Sequence, residues 1–411
     1  MDKILDIIKN KGDRWREEIS RVYPEIQITD NNDRLVLFKT RENYFSNRSI
    51  GLLDAVIDKE KLKQLEIANG MIIDLDLVEI VCRPTPFIRK RFNKYNIEDA
   101  KNMLDWSCVR VQYKPDGIPV SLWYNKKKGQ WSWSTDSSIY ASYDFRTISN
   151  ISVQDILRKM VYNRFNFDSL NTDFTYNFIL VSPDIKVIIQ YYEIKLYHVS
   201  TINNFTGEEI IDKMGGVDCL NEFLLLKFQD IVNLTKNLSN IDKNNNGKVV
   251  GCTIAGYTLI DCYGNKAILS NHIYDMLNVS SSTPEYRTVK RSEILKPIMD
   301  KEIDVDKLSK SFPQVGHILK YYDYAIDELF YEAKLTISVA RRLNLVHSPS
   351  EVMDIMIKDN FKLLGLIQLC LGNDKDINEL INESCHNTII LLLMFIKPYE
   401  PTNIGNIYDL L

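Results

Sequence analysis

The chain predicts an α+β fold, a mixed body running to about residue 280 followed by an all-α remainder. Three observations carry this expectation. Short apolar or alternating runs rich in Val, Ile, Phe, Trp and Tyr recur between turn signals from Arg34 to Ser270, as half-buried strands do. Apolar residues at helical spacing interrupt these runs near the N-terminus and after Val153. Beyond the linker-like Ser280-Ser281-Ser282-Thr283-Pro284, every patterned segment reads as helix.

Composition narrows the class. A chain of 411 residues is long for one core and fits two or three domains, here drawn as 1–280 and 281–411. With 45% hydrophobic and 26% charged residues it reads as an ordinary globular protein. A net charge of −4 argues against a general nucleic-acid coat, so RNA binding must come from a local basic patch, and DNA is not expected as a partner. Seven scattered cysteines without a Cys-x-x-Cys pair read as reduced core residues of a cytoplasmic protein. The start Met1-Asp2-Lys3-Ile4-Leu5-Asp6 has no apolar signal region, and the longest apolar run, Thr388–Ile396, is too short to span a bilayer. No membrane partner is therefore expected. Heavy use of Asn, Ile, Lys and Tyr fits an A/T-rich viral or plasmid genome.

Taken in order, Ile4, Ile7, Ile8, Trp15 and Ile19 predict an amphipathic helix over Asp2–Val22. Arg34–Lys39 and Met71–Cys82 predict strands, the second ended by Arg83-Pro84-Thr85-Pro86. Arg89-Lys90-Arg91-Phe92-Asn93-Lys94 is basic with an embedded aromatic, which suits a solvated loop and also suits a nucleotide. Strands follow at Ser107–Gln112, Val120–Tyr124 and Gln130–Ser134, with Lys126–Lys128 as a solvated hairpin tip. Val153–Phe165 is helical, and Tyr176–Ser182 and Lys186–Val199 are strands. Glu208–Met214 and Glu222–Leu238 read as helices, and Val249–Asp261 with Lys266–Ser270 as a hairpin through Tyr263-Gly264-Asn265. In the remainder, helices are expected at Val305–Ser311, Val315–Asn344, Glu351–Leu371 and Ile377–Ile396. His198, His272, His317, His347 and His386 lack metal-ligand spacing, so no metal site is expected from them.

Between the strands ending at Gln112 and beginning at Val120 lies Lys114-Pro115-Asp116-Gly117. Two readings are open. Pro and Gly at these places suit a type I turn closing a hairpin. Lys-x-Asp-Gly at a strand end is also the pattern with which covalent nucleotidyltransferases present a lysine amine to a nucleotide α-phosphate.

The order Arg83-Pro84, Lys90-x-Phe92-Asn93, Lys114-x-Asp116-Gly117, Asn177-Phe178-x-x-Val181-x-Pro183, Thr206-Gly207-Glu208 and Gly256-Tyr257, ahead of a helical tail, resembles the RNA ligase 1 family of bacteriophages over nearly the full length. The resemblance implies an adenylyltransferase domain in 1–280, with ATP-grasp-like antiparallel sheets and flanking helices around an ATP cleft. It implies a helical domain in 281–411 that helps recognise tRNA cut in its anticodon loop. Lys114 would form a lysyl-AMP, Asp116 and Gly117 would shape its turn, and Lys90, Phe92, Arg83 and Gly256 would lie on the nucleotide side. Lys320, Lys334, Arg341, Arg342 and Lys358 would be candidate phosphate contacts in the tail.

The departures are equally specific. Where the resembled family has a carboxylate on the Asn-Phe-Glu-Phe-Val strand, this chain has Ile179, and where it has Glu-Gly-Tyr, this chain has Ala255-Gly256-Tyr257. Its Lys-x-Lys strand aligns with Ala267-Ile268-Leu269, an Arg-Gly becomes Asn69-Gly70, and a Lys-Gly-Ser becomes Asp136-Ser137-Ser138. Glu193, Lys195, Asp261 or Lys266 would have to replace the lost groups if the register slipped. A lysine with an ordinary pKa of about 10.4 needs burial or neighbouring cations to attack, and nucleotidyl transfer needs cations or metal against developing charge. The expectation is therefore a pseudoenzyme that binds RNA, tRNA above all, and protects it from an anticodon nuclease toxin. ATP and Mg²⁺ enter only on the alternative expectation, an active ATP-dependent RNA ligase working through Lys114-AMP.

Overall fold

In the computed structural model the described residues are 3–41, 59–88, 90–142, 147, 151–161, 166–185, 187–210, 217–218, 220–238, 240–281 and 297–342. The protein is α+β, built on antiparallel sheets with helices against them. It divides into two compact units, residues 1–241 with 252–274, and residues 242–251 with 275–411.

The N-terminal helix is broken in two. α1 (Lys3–Lys11) and α2 (Trp15–Val22) are joined by a 3₁₀ turn at Gly12–Arg14, because Gly12 adopts φ +50°, outside the helical region. Ile4, Ile8, Trp15 and Ile19 all point into one core, as their spacing predicts. They cover one face of a four-stranded antiparallel sheet: β1 (Ile26–Asp30), β2 (Leu35–Thr40), β3 (Met71–Asp74) and β4 (Glu79–Cys82). The run Met71–Cys82 is thus two strands and not one. Asp74 Oδ1 accepts the amides of Asp76 and Leu77 and turns the chain back. α3 (Lys59–Ala68) leads into β3.

The second sheet has five strands in the order β11-β10-β9-β7-β8: β7 (Ile118–Asn125), β8 (Gln130–Thr135), β9 (Phe174–Val181), β10 (Lys195–Asn203) and β11 (Glu209–Ile210). Its period-two alternation sends Ile118, Val120, Leu122, Tyr176, Phe178 and Leu180 against α4 (Val153–Val161). Ser152 caps α4, its hydroxyl accepting the Asp155 amide at 3.0 Å. Ile156 and Leu157 of α4 are fully buried here, each contributing about 1.5–3 kcal/mol. The opposite face carries Ser121, Trp123, Thr175 and Asn177, and the first sheet packs on Trp123 through Leu35, Leu37, Ile72 and Val81.

The third sheet runs β12-β6-β13-β14-β5: β5 (Arg91–Phe92), β6 (Val109–Tyr113), β12 (Glu222–Leu225), β13 (Gly256–Asp261) and β14 (Lys266–Ser270). Only β14 with β5 is parallel. One face packs Val109, Val111, Leu259, Ala267, Leu269 and Phe92 against α5 (Phe228–Leu238).

Several local expectations give way to tertiary pairing. Glu209–Ile210 is a strand paired with β10, and Glu222–Leu225 is a strand paired with β6, where helices were expected. Residues 187–194 leave the ladder, because the Ile189 amide is taken by Asp116 Oδ2. Lys126–Lys128 is an exposed hairpin tip, as expected, and its three lysines are also ion-paired. Lys126 pairs with Glu79 at 2.7 Å, Lys127 with Asp74 and Asp76 at 3.0 and 2.6 Å, and Lys128 with Asp33 at 2.8 Å. The Tyr140 hydroxyl also donates to Asp33, so this hairpin clasps the loops of the first sheet. Cys82 and Cys252 are buried as expected, but Cys108 and Cys262 are exposed.

In the second unit, α7 (Val305–Ser311) begins at Asp304, whose carboxylate accepts the Lys307 amide. α8 spans Pro313–Arg342. α6 (His272–Ser281) follows β14. The helices expected at 351–371 and 377–396 lie outside the described residues. No helix among the described residues is long and apolar enough to cross a membrane.

Candidate functional site

Lys114 stands where two sheets meet. β6 belongs to the third sheet and β7 to the second, so Lys114–Gly117 crosses between sheets and does not close a hairpin. Of the two readings of the tetrapeptide, the hairpin turn is therefore excluded. The Lys114 amide donates to the Gly256 carbonyl at 3.1 Å, which extends the β6–β13 ladder by one pair. Gly256 has φ +147°, and a Cβ there would stand 2.2 Å from the Leu269 carbonyl oxygen, so only glycine fits. Gly117 is equally constrained on the other sheet, where a Cβ would lie 2.3 Å from the Leu180 carbonyl oxygen.

Asp116 is 7% exposed and its carboxylate is fully engaged. Oδ2 accepts the Ile189 amide at 2.9 Å and Oδ1 accepts the Tyr274 hydroxyl at 2.7 Å. Its own amide donates to the Tyr191 hydroxyl at 2.9 Å, and Tyr113 and Tyr191 approach at 3.5 Å between hydroxyls. Burial, and then Tyr113 beside it, pushes the Tyr191 phenol far above its ordinary range, and burial raises Tyr113 as well. Both stay neutral and act as hydrogen-bonding groups. The half-buried Lys114 ammonium lies 5.6 Å from the centre of the Tyr274 ring, a cation–π contact.

Register parity identifies which side chains share the Lys114 face. Lys114 is opposite Gly256, Gln112 opposite Thr258 and Arg110 opposite Ile260, and these pair onward to Ser270, Ile268 and Lys266. Ile268 is opposite Arg91. One face of the third sheet thus carries Arg91, Arg110, Lys114 and Lys266. Lys266 reaches the second sheet through Glu209 at 2.5 Å, and Arg110 lies 3.9 Å from Glu222.

This parity corrects the expected register of lost lysines. Ala267 and Leu269 are fully buried in the α5 core, on the opposite face from Lys114. A lysine at either place would be driven into apolar packing, so the face beside Lys114 retains a cation, Lys266. Phe92 is corrected for the same reason, since its ring lies in that apolar core and not against a nucleotide base. Arg91, its neighbour, occupies the face in question. Strand alternation alone could have flagged Arg91, Arg110 and Lys266, but only once the pairing was known.

The other expected residues fall as follows. Ile179 Cγ2 would be 2.9 Å from a Gly117 Cβ, so an apolar side chain borders the turn where the resemblance implies a carboxylate. Ala255 is buried next to Gly256 and its carbonyl accepts the Asn271 amide. Asn69 Oδ1 accepts the Thr40 amide at 3.3 Å. Arg83 is buried on the second sheet, its Nε donating to the Asn204 carbonyl at 2.8 Å. The Lys90 carbonyl accepts the Ile268 amide, which seats β5 beside β14. In the second unit Lys320 lies 3.6 Å from Asp306, Lys334, Arg341 and Arg342 fall within α8, and Lys358 is outside the described residues.

Of the two groups the resemblance implies, Mg²⁺ finds no set of converging carboxylates among the described residues. Both Asp116 oxygens are taken, Ile179 is apolar, and Glu209 and Glu193 are paired with Lys266 and Lys195. Among the described residues no three His, Cys, Asp or Glu side chains converge to hold a metal ion. Toward a nucleotide phosphate the same face carries Arg91, Arg110, Lys114 and Lys266, of which Lys266 is paired with Glu209 and Arg110 lies beside Glu222.

No protein-family model and no curated protein matches the chain. Solved structures do. An archaeal ATP-dependent RNA ligase aligns over 81% of this chain and 82% of its own at 11% identity, with a TM-score of 0.48. A second form of an archaeal ATP-dependent RNA ligase aligns over 82% of each chain at 11% identity and a TM-score of 0.47. A candidate ATP-dependent DNA ligase from Aquifex aeolicus aligns over 80% of each chain at 9% identity and a TM-score of 0.45. The chain is similar to ATP-dependent ligases, and at these identities and scores the likeness carries neither their substrates nor their reaction to it.

Proposed function

We propose that this protein is an RNA-ligase-like pseudoenzyme that binds RNA without joining it. The observation that carries this reading is the environment of Lys114. The lysine is held at a crossover between two sheets, yet the positions bordering its turn are Ile179 and Ala255, and the Asp116 carboxylate is sequestered by Ile189 and Tyr274. Losing one preorganised electrostatic contact costs about 2.7–4 kcal/mol of transition-state stabilisation, or roughly 10²–10³ in rate. Two missing carboxylates at one site leave a basic surface and no means of turnover.

The face carrying Arg91, Arg110, Lys114 and Lys266, with Glu222 beside Arg110 and Glu209 on Lys266, supports phosphate binding at Lys114 and Arg91 in a chain of net negative charge. The finer reading follows the resemblance: tRNA held at its anticodon region, the helical tail adding phosphate contacts from Lys320, Lys334, Arg341, Arg342 and Lys358, and protection against an anticodon nuclease toxin. One observation favours the alternative, an active ATP-dependent ligase. Lys266 remains on the Lys114 face, so not every cation of the resembled strand is lost.

Incubation with α-labelled ATP and Mg²⁺ separates the two. The pseudoenzyme leaves no label on protein, whereas an AMP adduct that disappears in Lys114→Ala refutes it. Sequencing of RNA recovered with the purified protein is expected to show tRNA enrichment that falls in an Arg91→Ala/Lys266→Ala variant. Absence of any RNA enrichment refutes RNA binding.

A further inference from the structure

The β6–β13 ladder that carries Lys114 at one end carries two exposed cysteines at the other. Its last strand pair is Val109 opposite Asp261, and the two chains continue to Cys108 and Cys262. Cys108 is thus the residue just before β6 and Cys262 the residue just after β13, and an antiparallel register carried one residue past the last pair would set them opposite each other. The Lys114 amide bonded to the Gly256 carbonyl marks a hydrogen-bonded pair. Counting in twos one step past the last pair, 108:262 would be the same kind of site, for which ideal strand geometry sets the Cα atoms about 5.5 Å apart. That separation lies inside the roughly 4.4–6.8 Å that a disulfide spans.

A second contact ties the two places together. Asp105 Oδ2 is 3.7 Å from Cys262 Sγ, while its Oδ1 accepts the amide of Ser107, the residue before Cys108, at 3.0 Å. By contrast, Cys82 and Cys252 are buried where no oxidant reaches them.

We propose that Cys108 and Cys262 form a reversible cross-strand disulfide, making the end of the β6–β13 ladder a thiol redox site whose oxidant is a small-molecule disulfide such as oxidised glutathione. The Cys108 thiolate attacks one sulfur of the oxidant, breaking its S–S bond and releasing one small thiolate, which takes up a proton. Cys262 then loses its proton and attacks Cys108 Sγ of the mixed disulfide. The protein disulfide forms as the second small thiol leaves, so two electrons and two protons pass from the cysteines to the oxidant. Partial desolvation and the Asp105 carboxylate hold the Cys262 thiol above its ordinary range, which assigns first attack to Cys108 and resolution to Cys262. The bond would lock together the two strands whose far ends are Lys114 and Gly256. An exposed cross-strand disulfide of this kind is reducible and suited to switching.

The full chain is equilibrated with oxidised glutathione, quenched in acid, alkylated and digested without reduction, and its peptides are weighed. The expected product is one peptide pair joining Cys108 to Cys262, lighter by two hydrogen atoms than its two parts. Cys262→Ser is expected to stop at a glutathione adduct on Cys108, and Cys108→Ser to leave Cys262 reduced. Both substitutions replace exposed side chains, and circular dichroism of each variant checks that it is folded. Stable glutathione adducts in the unmodified chain without a cross-link, pairing of either sulfur to a third cysteine, or no oxidation at either position overturns the proposal.

Discussion

Gly256→Ala tests whether the crossover that presents Lys114 depends on close approach of two strands. The new methyl would stand 2.2 Å from the Leu269 carbonyl oxygen and 2.9 Å from Ser270 Cα, both backbone atoms that cannot rotate away. Relief requires β13 to move off β14, which also loosens the Lys114 amide from the Gly256 carbonyl. An alanine held at φ +147° costs about 1–3 kcal/mol, and a lost backbone hydrogen bond about 0.5–1.5 kcal/mol, for a total of about 1.5–4.5 kcal/mol. With a urea dependence of about 3 kcal/mol per molar, the unfolding midpoint should fall by about 1 M. Gly264→Ala is the matched control, since Gly264 has φ +78° but nothing within 4 Å of its Cβ position. It carries conformational strain of about 1 kcal/mol and no clash. Equal midpoint shifts in the two variants, or none for Gly256→Ala, would refute the steric account of the site.

The clasp of Lys126–Lys128 on the first sheet should be acid-sensitive. Hydrogen bonds from Lys128 and then Tyr140 hold the Asp33 carboxyl below its ordinary value, and Lys127 does the same for Asp76. Folded values below the unfolded ones mean stabilisation that is present above the unfolded carboxyl pKa and lost as pH falls through the folded values. A Lys127→Ala/Lys128→Ala variant should therefore show a shallower loss of stability below about pH 4 in urea titrations, and identical acid limbs would count against the clasp. Cys82 should resist alkylation in the native protein. Burial pushes its thiol up to about 12, outweighing the hydroxyl of Ser134 beside it, so at pH 8 it is neutral and inaccessible. Iodoacetamide mass labelling should reach Cys108 and Cys262 well before Cys82, and equal rates would overturn that assignment.

Much of the fold was legible because its signals are local. The helical spacing of Ile4, Ile8, Trp15 and Ile19 and the alternation of Ile118, Val120 and Leu122 each place a buried face without reference to the rest of the chain. Where the structure departs, a distant partner decided the outcome. Glu209–Ile210 and Glu222–Leu225 became edge strands because β10 and β6 offered free backbone groups. Residues 187–194 left the ladder because Asp116, over seventy positions earlier in the chain, accepts the Ile189 amide.

The same division runs through the candidate site. Sequence by itself determined that a lysine sits in Lys-x-Asp-Gly between two strands, and the resemblance led to the expectation of acids where Ile179 and Ala255 stand. Only the tertiary structure decided that these two strands belong to different sheets, which turned an ambiguous hairpin turn into a crossover. It also decided that Lys266 shares the Lys114 face while Ala267 and Leu269 do not. The physical reason is register. A period of two makes the choice of face reverse with every single-residue step, and the step is set by hydrogen bonds between strands more than a hundred residues apart, such as β6 and β13.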